Sequence, residues 1–171
     1  MNTIFDPILN LPPYLATRRN HALEHATLKL LARKYDDKGL AGHSNPSGFF
    51  LFGDIAMEDI RSAIDEAMRR LRAGEHGLAI HPGCGTNMAT SLILPATFAF
   101  LPMQRARSNF WRFLLIPFAL GFAVFGYLLS KPLGPWLQRN VTTQADLGNL
   151  QVTEIAHVRK GVHRILTRGG S

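Results

Sequence analysis

Apolar residues recur at two spacings in the first half of the chain. Over residues 17–35 and 57–73 they return every three or four positions, the period of an amphipathic α-helix. Residues 39–48 are rich in Gly, Asn, Pro and Ser, which is typical of a loop, whereas the apolar run 49–55 predicts a short strand. Residues 78–81 can form a second strand. The order helix, strand, helix, strand predicts a small layer of helices packed on strands.

The pattern changes beyond residue 87. Two apolar segments, 88–103 and 110–130, are separated by a short polar linker that contains arginines. The second is about long enough to cross a bilayer core, which takes about 20 residues, whereas the first is shorter and contains two prolines. Together they predict an apolar helical hairpin that spans or re-enters a membrane. The alternative is a buried hairpin of a soluble protein.

Two further runs of strand-like residues, 150–158 and 162–167, flank a short polar turn and predict a C-terminal β-hairpin. The expected fold class is therefore α+β: a small helix and strand domain, an apolar helical hairpin and a terminal β-hairpin. We expect a soluble domain over 1–87, a membrane hairpin over 88–130, and a tail over 131–171 whose β-hairpin packs on the first domain.

The chain carries a formal net charge of +7, which favours an anionic partner. Lys and Arg do not form a run interleaved with aromatic residues, so we do not expect nucleic acid binding. Beside an apolar hairpin, the expected partner is the anionic headgroup region of a membrane. The sequence identifies no protein partner.

Cys84 is the single cysteine, so the chain forms no intramolecular disulfide and nothing requires an oxidising compartment. The N-terminal residues do not resemble a secretory signal, because Asp6 and three prolines interrupt their apolar positions and no basic region precedes them. Small domains without disulfides favour the reducing side of a membrane. We therefore expect the bacterial inner membrane, with the soluble parts on the cytoplasmic side.

Candidate chemistry begins with His21, Glu24 and His25 on the first predicted helix. A helix advances about 100° per residue, so imidazoles four residues apart lie one turn apart on one face and can bind one metal ion. The spacing H-x-x-E-H is that of inverzincin metallopeptidases, in which both histidines bind zinc and the glutamate handles the proton of the bound water. Their third ligand is a downstream glutamate without a strong counterpart here, so we do not expect peptidase activity.

A second group of chemically useful residues, His81 to Asn87, joins the second predicted strand to the first apolar segment. Glycines on both sides of Cys84 leave its sulfur accessible, and Thr86 or Asn87 can cap the helix that follows. The positive end of that helix would favour the thiolate of Cys84. The segment therefore predicts a reactive or metal-binding sulfur.

Zinc generally takes at least three protein ligands, so His21 and His25 need a further one. His81 and Cys84 are the candidates, and the sequence does not decide between them. Nitrogen and sulfur donors favour zinc, with ferrous iron as the second choice. The other histidines are expected to be solvated or structural; they are His43, His76, His157 and His163.

The two motifs together resemble those of the YqhQ-like family, bacterial membrane proteins described as metal-dependent enzymes. Its members carry H-x-x-E-H and a later H-P-x-C-G-T-[S/N], which correspond here to residues 21–25 and 81–87 in the same order. The similarity covers roughly residues 18–95. It implies a membrane protein with a metal site near the membrane interface, and it implies no particular reaction. Gly83 replaces an arginine common in the family, so an anion contact is not carried over.

Three functions fit these residues, and the sequence leaves open whether the protein is an enzyme. The leading one is a membrane-anchored, zinc-dependent hydrolase of unknown substrate, in which Glu24 accepts a proton from water. The second is a noncatalytic, metal-stabilised membrane scaffold or assembly protein. The third is a thiol enzyme without metal, in which Cys84 attacks an acyl group and His81 or His25 is the base. For Glu24 itself, a salt bridge or the orientation of a histidine are the alternative roles.

Overall fold

A computed structural model describes residues 6–35, 39–104, 106 and 108–170. Over these residues the fold is α+β, as predicted, with a four-stranded antiparallel sheet and a C-terminal β-hairpin. The chain divides into two compact units. The first comprises Met1–His81 and Arg139–Ser171, and the second comprises Pro82–Gln138.

In its described residues, the first unit contains three helices, four strands and two short helical turns. Its elements are α1 (Asp6–Leu9), α2 (Pro12–Tyr35), β1 (Ala41–Asn45), β2 (Gly48–Phe52), α3 (Met57–Arg72), a 3-10 turn (His76–Ala79), a π-helical turn that begins at the end of the second unit (Gln138–Thr142), β3 (Gln151–Arg159) and β4 (Val162–Arg168). The strand order is β1-β2-β4-β3, and neighbouring strands are antiparallel.

The core of this unit lies between the sheet and the helices α2 and α3. Phe49 and Leu51 on β2 and Ile165 on β4 are fully buried, and they share one face of the sheet because side chains alternate along a strand. Ile60 and Ile64 on α3 pack into the same core. Side chains two residues apart on a strand, and four residues apart on a helix, point to the same side. All five side chains therefore lie in one apolar cluster.

The segment before β2 differs from the sequence prediction. Residues 39–48 were expected to form a loop, but the structure forms β1 there, paired with β2. The strand is possible despite its polar composition because the backbone supplies the pairing and Gly42 leaves room for a side chain from α2. Helix α2 also begins at Pro12, earlier than predicted, because a proline needs no N–H bond in the first turn.

The predicted strand over residues 78–81 is wrong. The chain instead forms the 3-10 turn, in which the amide of Leu78 bonds to the carbonyl of Glu75 and the amide of Ile80 to that of Gly77. Ala79 is the buried residue of this turn. The apolar stretch is too short to sustain a strand, so its backbone bonds close locally.

Asp59, in the first turn of α3, binds two side chains at the end of α2. Lys34 forms an ion pair with this carboxylate at 2.8 Å, and the hydroxyl of Tyr35 donates a hydrogen bond to it. These two hydrogen bonds lower the pKa of Asp59 below its usual value. The ionised form of the carboxylate is therefore the one that the fold favours.

The second unit contains α4 (Gly85–Met103) and α5 (Asn109–Leu137), which pack against each other. Gly126 on α5 makes this close approach possible, because a Cβ there would lie 2.9 Å from the carbonyl oxygen of Leu94. The helical segment Asn109–Thr142, of 34 residues, is long and apolar enough to cross a membrane. Large apolar side chains along α5, such as Phe113, are exposed.

Candidate metal site

Helix α2 brings the imidazoles of His21 and His25 together. Their ring centroids are 4.2 Å apart, with the rings tilted by 60°. His25 is buried and His21 is half-buried, because the same side of α2 continues into the buried residues Leu28 and Leu31. The four-residue spacing seen in the sequence therefore becomes a pair of adjacent rings on the protein-facing side of the helix.

Backbone carbonyls select the same tautomer in both neutral rings. The Nδ1 of His25 lies 2.6 Å from the carbonyl oxygen of Ala79, and the Nδ1 of His21 lies 2.9 Å from that of Thr142. A carbonyl oxygen only accepts, so Nδ1 carries a proton in each ring. In the neutral form of each ring, the lone pair is then on Nε2. This is the usual arrangement of a metal-binding histidine, whose second nitrogen donates to a carbonyl or carboxylate.

Two basic residues of α2 hold the segments that supply these carbonyls. The ammonium of Lys29 donates to the carbonyl of Gly77 at 2.8 Å, within the 3-10 turn. The guanidinium of Arg18 donates to the carbonyls of Asn140 and Thr143 at 3.2 Å each, on either side of Thr142. Partial burial lowers the pKa of Lys29. Neither residue was predicted from the sequence, although each lies three or four positions from a histidine and so shares its helix face.

Glu24 is directed at strand β1. It is only 3% exposed, and its Oε2 accepts a hydrogen bond from the hydroxyl of Ser44 at 2.5 Å. A Cβ at Gly42 would lie 2.4 Å from the Oε1 of Glu24, so only glycine leaves space for the carboxylate there. The structure thus anchors Glu24 on β1, a strand that the sequence did not predict.

The two candidates from the second motif lie in different surroundings. The ring centroid of His81 is 5.6 Å from that of His25. Cys84 is buried, and its Sγ belongs to a group of possible metal-binding atoms with one nitrogen each of His21 and His25, all within 4.8 Å of one another. The structure therefore contains a His-His-Cys cluster that could hold a metal ion.

The sequence predicted that Thr86 or Asn87 caps the start of α4, but the helix begins before both residues. The helix starts at Gly85, so Cys84 occupies the N-cap position and makes no side-chain cap hydrogen bond. The side-chain Nδ2 of Asn87 instead donates to the carbonyl of Pro82 at 3.0 Å. The helix begins about one turn earlier than expected.

The histidines expected to be solvated or structural fall into two groups. His43 and His76 are exposed on β1 and in the 3-10 turn. His157 and His163 face each other across β3 and β4, with ring centroids 5.3 Å apart, and His163 is buried.

Fold and site together define an α+β protein with a possible membrane-spanning helix and a histidine and cysteine cluster able to hold a metal ion. The chain belongs to the family described as a domain of unknown function, DUF6391, which matches residues 16–155. It is 36% identical over 165 residues to an uncharacterised protein of Picosynechococcus sp. strain PCC 7002, covering 88% of this chain and 76% of that protein. No solved structure matches the chain. These comparisons support an uncharacterised bacterial family and do not confirm the YqhQ-like resemblance.

Proposed function

We propose that this protein is a membrane-anchored hydrolase that binds zinc through His21, His25 and Cys84. The observation that carries the proposal is the state of the two helical imidazoles. Both lie with Nδ1 against a backbone carbonyl, so the neutral rings carry their lone pairs on Nε2, and the Cys84 sulfur belongs to the same group of donor atoms. Histidines that served only to fill an amphipathic helix would need no such matched orientation.

The donor set favours zinc over other metals. Two imidazole nitrogens and one thiolate are the borderline-soft ligands that zinc binds, and ferrous iron is the second choice. Zinc bonds of about 2.0–2.3 Å in a tetrahedral site place ligand atoms about 3.3–3.8 Å apart. The donors here, within 4.8 Å of one another, need to approach by up to about 1.5 Å to share an ion.

Hydrolysis follows from the number of protein ligands. Three ligands leave a fourth position for water, and zinc in such a site lowers the pKa of that water to about 7. Glu24, between the two histidines on α2, is our candidate for the group that accepts the proton. Ser44 and Gly42 would hold its carboxylate in place while it does so.

A closed, noncatalytic site is the second candidate function. The 5.6 Å separation between the His25 and His81 rings favours it, because His81 could supply a fourth ligand in place of water. Four protein ligands make a structural zinc site, which stabilises a fold and performs no hydrolysis. The protein would then be a metal-stabilised membrane scaffold.

The membrane part of the proposal is supported by the exposed apolar surface of α5 and by the net charge of +7. Such a helix would lie in the lipid core, and the basic residues would favour anionic headgroups. We place the protein in a bacterial inner membrane with its soluble parts in the cytoplasm. Cysteine accessibility to a membrane-impermeant reagent, measured on single cysteines introduced into β3 and after α4, tests this orientation.

Elemental analysis of the detergent-purified protein tests the metal site. Wild type should contain about one zinc per chain, and His21→Ala, His25→Ala and Cys84→Ala should lose it. His43→Ala, which removes an exposed histidine, is the matched control and should keep its zinc. A metal-free wild type that loses activity when Cys84 is alkylated would overturn the proposal in favour of the thiol enzyme.

His81→Ala distinguishes the open site from the closed one. In the open site this variant keeps its zinc, and X-ray absorption of wild type shows two nitrogen ligands, one sulfur and one oxygen. In the closed site it loses zinc, and the spectrum shows three nitrogens and one sulfur. Glu24→Gln should keep the metal and abolish the hydrolysis of a panel of chromogenic esters and amides. Loss of metal in Glu24→Gln would instead show that the carboxylate is structural.

A further inference from the structure

The apolar hairpin contains a polar cavity at the end where the chain enters α4 and leaves α5. Four polar side chains line it: Asn87 and Ser91 on α4, and Ser130 and Lys131 on α5. Its volume is about 340 Å³. Sites for small molecules in proteins measure roughly 300–1,000 Å³, so the cavity is large enough for a small polar group. Polar groups from two otherwise apolar helices therefore line one small space.

Contacts between the two helices hold the walls of this cavity. Ser130 is only 2% exposed, and its hydroxyl donates to the carbonyl of Tyr127 at 2.6 Å. The Oγ of Ser91 lies 3.4 Å from that of Ser130. A hydroxyl has one hydrogen, and Ser130 uses its own on Tyr127, so the hydroxyl of Ser91 is the one that can turn toward a ligand. Gly134 leaves room for Asn87, because a Cβ there would collide with the side-chain oxygen of Asn87.

Lys131 supplies the charge of the cavity. Its Nζ lies 4.4 Å from the centroid of the Tyr127 ring, one helical turn earlier, and an ammonium over an aromatic face is attracted to it. Residues 76–145 contain no Asp or Glu, so neither helix offers a carboxylate to neutralise this charge. Ionisable residues in apolar membrane segments are costly, and they commonly mark the site of a ligand. The charge and the cavity together therefore indicate an anionic ligand.

The position of Lys131 along α5 indicates the source of that anion. Residues 110–130 precede it and, at 1.5 Å per residue, extend about 30 Å, which is the thickness of the hydrocarbon core of a bilayer. Trp111 lies at the far end of this stretch, and the exposed Tyr127 and Trp136 lie on either side of Lys131. Such aromatic residues are enriched at membrane interfaces. At the interface, the neighbouring anion is the phosphate of a lipid.

We propose that this cavity binds the phosphate group of an anionic phospholipid. The ammonium of Lys131 pairs with one phosphate oxygen, and the hydroxyl of Ser91 donates a hydrogen bond to another. Basic pockets between transmembrane helices bind anionic headgroups through the same kind of contacts. The acyl chains lie along exposed apolar side chains of α5, such as Leu128. This inference rests on the proposed membrane location of α5 and does not depend on the zinc site.

Native mass spectrometry of the full chain, released from detergent micelles that contain added lipid, tests the site. Wild type should retain about one phosphatidylglycerol, and Lys131→Gln should weaken this binding at least tenfold. Ser91→Ala should weaken it less, and Lys131→Arg should keep most of it. Arg112→Gln is the matched control, because it removes the other charge of the two helices, near the opposite end of α5. Equal lipid retention by wild type and Lys131→Gln would overturn the proposal.

Two further ligands distinguish a lipid headgroup from a free phosphate. Phosphatidylcholine should bind more weakly than phosphatidylglycerol, because its own ammonium group neutralises its phosphate. Inorganic phosphate in excess should not displace phosphatidylglycerol, because it has no acyl chains to contact α5. Displacement by inorganic phosphate would assign the cavity to a free phosphate and overturn the lipid site. Equal binding of the two lipids would overturn the preference for an anionic headgroup.

Alkaline carbonate extraction of membranes from expressing cells separates failure of the lipid site from failure of the proposed function. Wild type and Lys131→Gln should both remain in the membrane pellet. Release of wild type into the supernatant would overturn the proposed membrane anchorage and the lipid site together. Retention of both proteins, with equal phosphatidylglycerol binding, would overturn the lipid site alone.

Discussion

Replacing Arg18 with Met should weaken metal binding although Arg18 is not a ligand. Its guanidinium donates to the carbonyls of Asn140 and Thr143 at 3.2 Å each. Between these two residues lies Thr142, whose carbonyl accepts from the Nδ1 of His21 at 2.9 Å. Methionine retains most of the aliphatic stem and removes every donor. The turn would then lose the contacts that hold the Thr142 carbonyl against the imidazole.

The expected magnitudes follow from these contacts. Hydrogen bonds from a charged donor contribute about 1.5–3 kcal/mol each, and water can replace part of that at a partly open site. We therefore expect Arg18→Met to lower the free energy of unfolding by about 2–4 kcal/mol. Loss of the group that orients a metal-binding histidine typically reduces metal affinity 10- to 100-fold, and we expect a reduction in this range for zinc.

Competition with a chromogenic chelator measures the zinc affinity, and thermal unfolding measures stability. Arg19→Met is the matched control, because the neighbouring Arg19 is half-buried and its hydrogen bond to the carbonyl of Asp146, at 3.0 Å, is exposed to solvent. It should change the zinc affinity less than twofold. Arg18→Lys should recover part of the loss. Wild-type zinc affinity in Arg18→Met would show that Arg18 does not orient the His21 ring. Equal losses of zinc affinity in Arg18→Met and Arg19→Met would show the same.

Three further predictions concern the fold. Gly42→Ala places a Cβ 2.4 Å from the carboxylate oxygen that lies over it, so we expect thermal unfolding to show a loss of about 1–3 kcal/mol; an unchanged melting temperature would contradict this. Gly126→Ala should weaken the packing of α5 on α4 in detergent, whereas Gly121→Ala, which meets nothing within 4 Å, should not, as judged by proteolysis of the hairpin. The hydrogen bond from Lys34 lowers the pKa of Asp59 below its usual 3.8, so its contribution to stability is present above that value and is lost as the pH falls through the lower folded pKa. Asp59→Asn should therefore flatten the acid side of the stability profile measured by urea unfolding, and an unaltered profile would rule out this role.

Periodicity in the sequence was sufficient to predict the elements with strong apolar patterns. Helices α2 and α3 and the terminal hairpin lie close to where the spacing places them. The errors fall where the backbone, and not the side chains, decides the structure. Strand β1 has a loop-like composition and forms because β2 offers it a partner, whereas residues 78–81 have apolar side chains and close into a 3-10 turn.

The candidate site could be predicted only in part for a similar reason. The spacing of His21 and His25 along one helix makes their rings neighbours wherever the helix forms. Their hydrogen-bond acceptors could not be found in this way, because the carbonyl that bonds to His21 is 121 residues away in sequence and that of His25 is 54 away. A carbonyl also carries no sequence signature, since every residue has one.

The separation between His21 and Thr142 has a consequence for how the protein is made. Thr142, and the strand β4 that pairs with β2, follow both apolar helices in the chain. The ribosome therefore synthesises His21, His25 and Cys84 well before Thr142, whose carbonyl orients the His21 ring. A nascent chain arrested after residue 137 would contain all the proposed zinc ligands without that acceptor, and should capture zinc more weakly than the finished protein. If the proposed site holds zinc, tight binding of the ion therefore follows synthesis of the apolar helices.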